Sequence, residues 1–419
     1  MNKKKIVQTL KKLLPQIKVI TTKYPANIPL DENLRISKLR EELKIIGPLK
    51  KVLQKENEFK KPKNPSYNNG RGYGPFRSNE AALFLCHQGG QFGATNAVNK
   101  LIKIFSHKET DLICLMALRG INCKNKIQLT KKVKMVPLSQ LPISNIKVSL
   151  EQQNPIQLLN ISNFSAFNSL SMPFYNIEKA FLITTIKVKP VLFDNRTKKV
   201  GLSPAYLEAT SCLNNIRLCL TAIGICSPLE EFSWVQFKDE ALEDAVHASS
   251  SRSFKHIEII PRKLRESKKI QEKEAALFIK SFLKLDGKFK KRIVIALERL
   301  NQSMRRQTVG EKAVEISIAL ETLLLGEEKG DNIFKTSLRS GIVISPNLSD
   351  RRECRKIIKK IYGYRSDLVH KGENSNNVSN SVDITERAIH FTAKIITILI
   401  KYGKDPEWSE LELSGKPLK

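Results

Sequence analysis

One run of spacing near the C-terminus limits the fold more than any other feature. Ile384, Ala388, Phe391, Ile395, Ile398 and Tyr402 recur at intervals of 4-3-4-3-4, which lines them along one side of a helix as a coiled-coil-like seam. A seam of that length has to be covered by other helices, and the preceding residues supply them. Ile293, Leu297, Leu300 and Met304 mark a second stripe. Thr308 and Glu311 have the spacing of a capping box and open a helix running to about Leu325. Gly326 to Gly330 break it, and a shorter helix follows over Asn332–Ile342. Pro346 and Ser349-Asp350 then separate that helix from the one carrying Arg351–Tyr364. Helices joined by short connections pack as antiparallel neighbours, so this part of the chain reads as an all-α bundle.

The N-terminal part has another texture. Residues 1–55 look helical and basic, with Ile6, Leu10, Leu13, Leu14 and Ile17 at helical spacing. Residues 60–79 are rich in Pro, Gly and Asn and read as a flexible loop. Four runs then combine β-branched and aromatic residues between breakers: Lys132–Leu138, Ile146–Leu150, Ile156–Ile161 and Phe181–Phe193. A helix after Thr95 and another around Pro204–Ile225 flank them. Gly89-Gly90-Gln91-Phe92-Gly93 reads as a turn before the first of these helices; it lacks the Lys-Ser/Thr that a phosphate-cradling P-loop needs. Cys212, Cys219 and Cys226 fall seven apart, as buried small apolar groups on one helix face. The seven cysteines include no CxxC pair, which speaks against a structural zinc site. Ala248–Ser253 is serine-rich and reads as the start of a linker. The expected architecture is α+β, with an N-terminal mixed, β-containing module over residues 1–250. A linker over 251–267, an all-α helical bundle over 268–402 and a C-terminal tail over 403–419 follow.

Charge points to a partner. The net charge is +31, and residues 1–200 alone carry 35 basic and 12 acidic side chains. Such an excess favours a polyanion, because neutralising phosphates releases condensed counterions. Arg71, Tyr73 and Arg77 interleave cations with an aromatic ring, a composition suited to stacking on unpaired bases while holding phosphates; a plain surface loop is the alternative. Arg351, Arg352, Lys359 and Lys360 crowd one C-terminal helix and are further candidates for RNA contact. The first twenty residues lack the unbroken apolar core of a signal peptide, and no apolar stretch approaches the ~20 residues a bilayer requires. The expectation is a cytoplasmic protein with no membrane partner.

Tyr362-Gly363-Tyr364-Arg365-Ser366-Asp367-Leu368-Val369-His370-Lys371-Gly372 concentrates the chemistry. Histidine titrates near neutral pH and moves protons; arginine holds a phosphate through two parallel hydrogen bonds. On an ideal helix a five-residue step leaves Arg365 and His370 about 140° apart around the axis. Either the helix ends near Asp367, or a second copy completes the site across a two-fold axis. Ser366 orients a phosphate or caps a helix. Tyr362 and Tyr364 stack on a base or pack inside the bundle. Glu321, set in an apolar helix, needs a partner: Arg365 and Arg339 are the candidates for it to orient, with a purely structural ion pair as the alternative.

The string resembles the end of the Apea-like branch of the HEPN superfamily, whose hallmark is Tyr-x-x-Arg-Ser followed by an apolar residue, His and Gly. Ile318-Ala319-Leu320-Glu321-Thr322-Leu323-Leu324 and Leu338-Arg339-Ser340-Gly341 fit the same resemblance, which covers roughly residues 268–402. It implies a dimer of helical bundles with a composite active site, and a metal-independent endoribonuclease that needs no cofactor. Arg365 and His370 would be catalytic, with Ser366, Glu321 and Tyr364 in support. It also implies a toxin or antiphage (abortive infection) effector, restrained until a phage-derived or nucleic-acid trigger acts. Gly372 stands where nucleotidylated HEPN variants have a tyrosine, so that form of control is not expected. The competing reading is a non-catalytic RNA-binding or dimerisation HEPN protein.

Overall fold

In a computed structural model the described residues are 1–23, 44–59, 65–151, 180–189, 192–194, 201–246, 252–254, 268–328, 330–372 and 378–418. Over these residues the protein is α+β, a sheet-containing N-terminal region followed by an all-helical C-terminal region.

The chain opens with α1 (Lys3–Lys23) and α2 (Gly47–Leu53). Residues 65–75, read as loop, instead form a hairpin of β1 (Pro65–Asn68) and β2 (Tyr73–Pro75), with β1 also pairing antiparallel to a later strand. Asn68 and Asn69 make this turn by accepting the backbone N–H groups of Gly70 and Arg71, a local chemistry that competes with open loop. Then come α3 (Ser78–Phe92) and α4 (Ala94–Ser106). Gly89–Phe92 are therefore the last turn of α3, not a turn between elements. The break is Gly93 alone, at φ +83, a conformation open to glycine at no steric cost.

β3 (Thr110–Arg119), β4 (Ile121–Asn122), β5 (Ile127–Gln128) and β6 (Lys134–Pro137) follow, and then α5 (Asn145–Glu151). The Ile146–Leu150 run is thus helical. Its Ile146 and Leu150, four apart, both face a small core on the sheet, so the alternation that suggested a strand was helical spacing in part. The Ile156–Ile161 run lies outside the described residues. β7 (Ala180–Val188), β8 (Leu192–Asp194), α6 (Pro204–Gly224), β9 (Leu229–Phe237), α7 (Glu240–Val246) and β10 (Arg252–Phe254) complete the region. A six-stranded sheet runs β10-β9-β3-β7-β6-β5, every neighbouring pair antiparallel. The serine-rich stretch thus ends, at Arg252–Phe254, as an edge strand.

β3 sits at the centre and is covered on both faces. Leu112, Cys114, Met116 and Leu118 enter the large core, while Ile113, Leu115 and Ala117 enter the small one beneath α5. α6 lies on the large-core side. Ser203 caps it by accepting the Tyr206 N–H at 3.1 Å, and Pro204 fits the first helical position. Cys212 and Cys219 lie on this helix; Cys226 lies beyond its left-handed end at Ile225.

The helical region starts after β11 (Lys268–Lys269), which pairs with β4. It comprises α8 (Glu272–Lys284), α9 (Gly287–Arg305), α10 (Val309–Leu324), α11 (Asn332–Ile344), α12 (Leu348–Ser366), α13 (Val378–Tyr402) and α14 (Trp408–Ser414). Thr308 and Glu311 do form the capping box at the start of α10. On α13, Ile389, Ala393, Ile396, Leu399 and Ile400 are buried together with Ile384, Ala388 and Ile395. The seam is one edge of a wider buried face, because α13 packs on α6 and α8 to α12. Residues 408–414 of the expected tail are helical, and Trp408 is buried.

α6 also packs on α8, α9 and α13, so one continuous hydrophobic cluster joins the sheet to the bundle. A buried polar seam runs along this contact. Ser227 Oγ donates to the Asn301 carbonyl at 3.1 Å, and Asn301 Nδ2 donates to Thr221 Oγ1 at 3.0 Å. Among the described residues no helix is long and apolar enough to cross a membrane.

Candidate active site

α12 positions the central string. Asn347 caps it, accepting the Ser349 N–H at 2.8 Å, and Ser345 Oγ donates to Asp350 in the first turn at 2.7 Å. Cys354, Ile357, Ile358, Ile361 and Tyr362 form its buried face at i, i+3, i+4, i+7, i+8. Each buried isoleucine contributes roughly 1.5–3 kcal/mol, which fixes the helix against α10, α11 and α13.

Past Ser366 the coil widens into a π turn over Asp367–Lys371 and closes at Gly372, φ +66, whose N–H meets the Leu368 carbonyl at 3.1 Å. A π turn closes on the fifth residue and so rotates less per residue than an α-helix. The five-residue step from Arg365 to His370 is therefore narrower around the axis than the straight-helix figure. Packing accompanies this geometry. Leu368 lies so close to Gly310 on α10 that an added Cβ there would come within 2.8 Å of the Leu368 Cβ.

Arg365 turns inward. Its Nη1 donates to Glu321 Oε1 at 2.6 Å, and the Tyr362 hydroxyl donates to the same oxygen at 2.9 Å while sharing a 3.2 Å hydrogen bond with Thr336 Oγ1. Burial, helped by the Glu321 charge, pushes the Tyr362 phenol well above its ordinary pKa, so it remains a donor. The guanidinium also lies 5.8 Å from the Tyr362 ring centre. Arg365 is 34% exposed, leaving its other donors open to the surface. His370 is exposed on the π turn and makes no hydrogen bond to a described residue. Beside it Asp367 is held by Lys371 at 2.8 Å, and Val369 is 60% exposed.

Glu321 thus engages Arg365 and not Arg339. Arg339 is taken by both oxygens of Glu328 at 2.8 Å, by Glu412 at 2.7 Å and by the Leu324 carbonyl at 2.6 Å. Ser366 is exposed and makes no side-chain capping bond. Tyr364 is half-buried against the large core, and burial raises its pKa. Of the expected RNA-contacting residues, Arg352, Lys359 and Lys360 are exposed on α12. Arg351 is committed elsewhere, donating to the Ser345 carbonyl at 2.7 Å and the Gly415 carbonyl at 2.8 Å. Tyr73, 53% exposed, and Arg77 are on the surface at the N-terminal hairpin and the start of α3, whereas Arg71 is half-buried and close enough to Cys114 and Tyr206 to act on their titration. The string and the hairpin are therefore two separate groups of candidates.

Sequence reasoning missed Thr336 and Gly310. Thr336 is two residues before Leu338-Arg339-Ser340-Gly341 and carries no local signal. Gly310 lies inside the Thr308–Glu311 capping box, where a glycine passes as ordinary. Comparison with known protein families, with curated proteins and with solved structures finds no match.

Proposed function

We propose that this protein is a metal-independent endoribonuclease of the HEPN type. One observation carries the reading: Glu321 and Tyr362 hold Arg365 at the rim of a turn that presents His370 to solvent. In the reaction His370 takes the proton from a ribose 2′-OH or gives one to the departing 5′-oxygen. Arg365 directs its remaining donors at the phosphorus-centred transition state, where charge accumulates. The 2′-oxygen bonds to phosphorus as the bond to the 5′-oxygen breaks, leaving a 2′,3′-cyclic phosphate. DNA lacks that nucleophile.

The working unit in this reading is a homodimer in which two such turns face one another. The cellular role is that of a toxin or antiphage effector in the cytoplasm, with the sheet region restraining the bundle until a trigger acts. Incubating the purified protein with end-labelled RNA in EDTA tests the chemistry. Cyclic-phosphate ends that disappear in both Arg365→Ala and His370→Ala are the expected result. Full cleavage by His370→Ala would remove the assignment.

The second reading, a non-catalytic RNA-binding or dimerisation protein, is favoured by Ser366, which faces solvent without a bond. It predicts RNA binding with no cutting under any condition.

A further inference from the structure

The outward side of α12 carries a straight row. Arg352, Lys356, Lys359, Gly363 and Ser366 are all exposed and follow one another at intervals of 4-3-4-3, one position per helical turn. The row is about 21 Å long and points toward the turn that bears His370. No acid interrupts it. The acids of α12 lie off the row and are engaged, Glu353 with Arg387 and Asp350 with Ser345. Arg352, Lys356 and Lys359 make no ion pair with a described residue, in contrast to Lys187, Lys238 and Lys288, which meet Glu109, Asp111 and Glu327. Gly363 is a further anomaly. A glycine inside a helix is destabilising, yet a Cβ here would meet nothing within 4 Å, so the bundle's own packing does not require it. It leaves bare backbone between the cations and the Arg365–His370 turn.

We infer that this row is a track for an extended single-stranded nucleic acid, one phosphate per cation, leading its backbone past Gly363 to His370. A duplex does not fit the same surface. The A-form major groove of an RNA duplex is too deep and narrow for side chains to read, so a duplex would meet the row only at the groove's rim. A single strand needs only a line of charge. The end of the track rests on the nuclease reading; the track itself does not.

The test uses the full-length protein and a fluorescent single-stranded DNA oligonucleotide, which has the phosphates but no 2′-OH. Each phosphate neutralised adds about 0.7 to the slope of log K against log salt for single strands. The variant R352Q/K356Q/K359Q is expected to lower that slope by about 2, and K356Q alone by about 0.7. The control K187Q/K238Q/K288Q, with the same loss of charge, should leave it nearly unchanged. Gly363→Leu should weaken binding without altering the slope. Equal slopes for the row and control variants, or a duplex bound as tightly as the single strand, would overturn the track. If RNA is still cut while the slope does not move, the track falls and the nuclease stands. If the row sets the slope and no RNA is cut, the track stands and the nuclease falls.

Discussion

Arg339 and Arg365 sit on neighbouring helices of one bundle, and each meets a glutamate, but their surroundings differ. Arg339 is almost fully buried, its donors taken by two carboxylates and a carbonyl, and its guanidinium lies 5.2 Å from the Trp408 ring centre. Arg365 has one carboxylate oxygen and an open side toward solvent. A guanidinium that only holds helices together is surrounded until its donors are used. One that is anchored at a single point and left open retains donors for something arriving from outside.

Substitutions separate the two. In the nuclease reading, His370→Ala should lower RNA cleavage by roughly 10²–10⁴, the range of acid–base catalysis, and Arg365→Ala by roughly 10²–10³, the range for one lost transition-state donor, each with melting temperature little changed. Arg339→Ala should do the reverse. Removing one partner of a buried pair costs about 3–5 kcal/mol, and the lower end applies because Glu328 and Glu412 keep partial exposure. Urea unfolding reads it directly, and a loss below about 1 kcal/mol would erase the contrast.

Glu321→Gln keeps the shape and removes the anchor's charge. A misplaced catalytic group can cost up to about 10²-fold, so cleavage should fall by roughly that much at most, while stability changes less than in Arg339→Ala. Gly310→Ala tests the turn itself. Overpacking against Leu368 should cost about 1–3 kcal/mol, and Leu368→Ala in the same chain should restore part of it, measured as coupling in a double-mutant cycle.

The smallest effect is on pH. Hydrogen bonds from Arg339 hold Glu328 below the usual carboxylate range. A carboxylate depressed in the folded state stabilises above its unfolded pKa, about 4.3. That contribution is lost as the pH falls through the lower folded value. Unfolding curves of wild type and Glu328→Gln should therefore differ at pH 6 and converge in acid.

The bundle was legible because its signals are local: the Thr308–Glu311 box, the breaks at Gly326 and Pro346, and apolar residues at helical spacing on α9 and α13. The sheet was less so. β3 is apolar on successive residues because both of its faces are covered, and that removes the alternation by which a half-buried strand is recognised. β9 was missed; its Leu229–Phe237 run carries Glu230, Glu231, Ser233 and Gln236, and its place beside β3 is set by pairing distant in sequence. At the site, Arg365 and His370 could be named from the string. The choice of Arg365 over Arg339 by Glu321 could not, because it depends on how three helices meet. The π turn was equally hidden, since Leu368 finds Gly310 only once α10 and α12 are packed.

The placement of α6 has one more consequence. Its buried residues complete the large core, and it lies against both the sheet and α8, α9 and α13, with Asn301 locked to Thr221 in between. The C-terminal bundle is therefore not a cassette. Cut free of α6, it would carry away a bare apolar flank and an orphaned Asn301 amide.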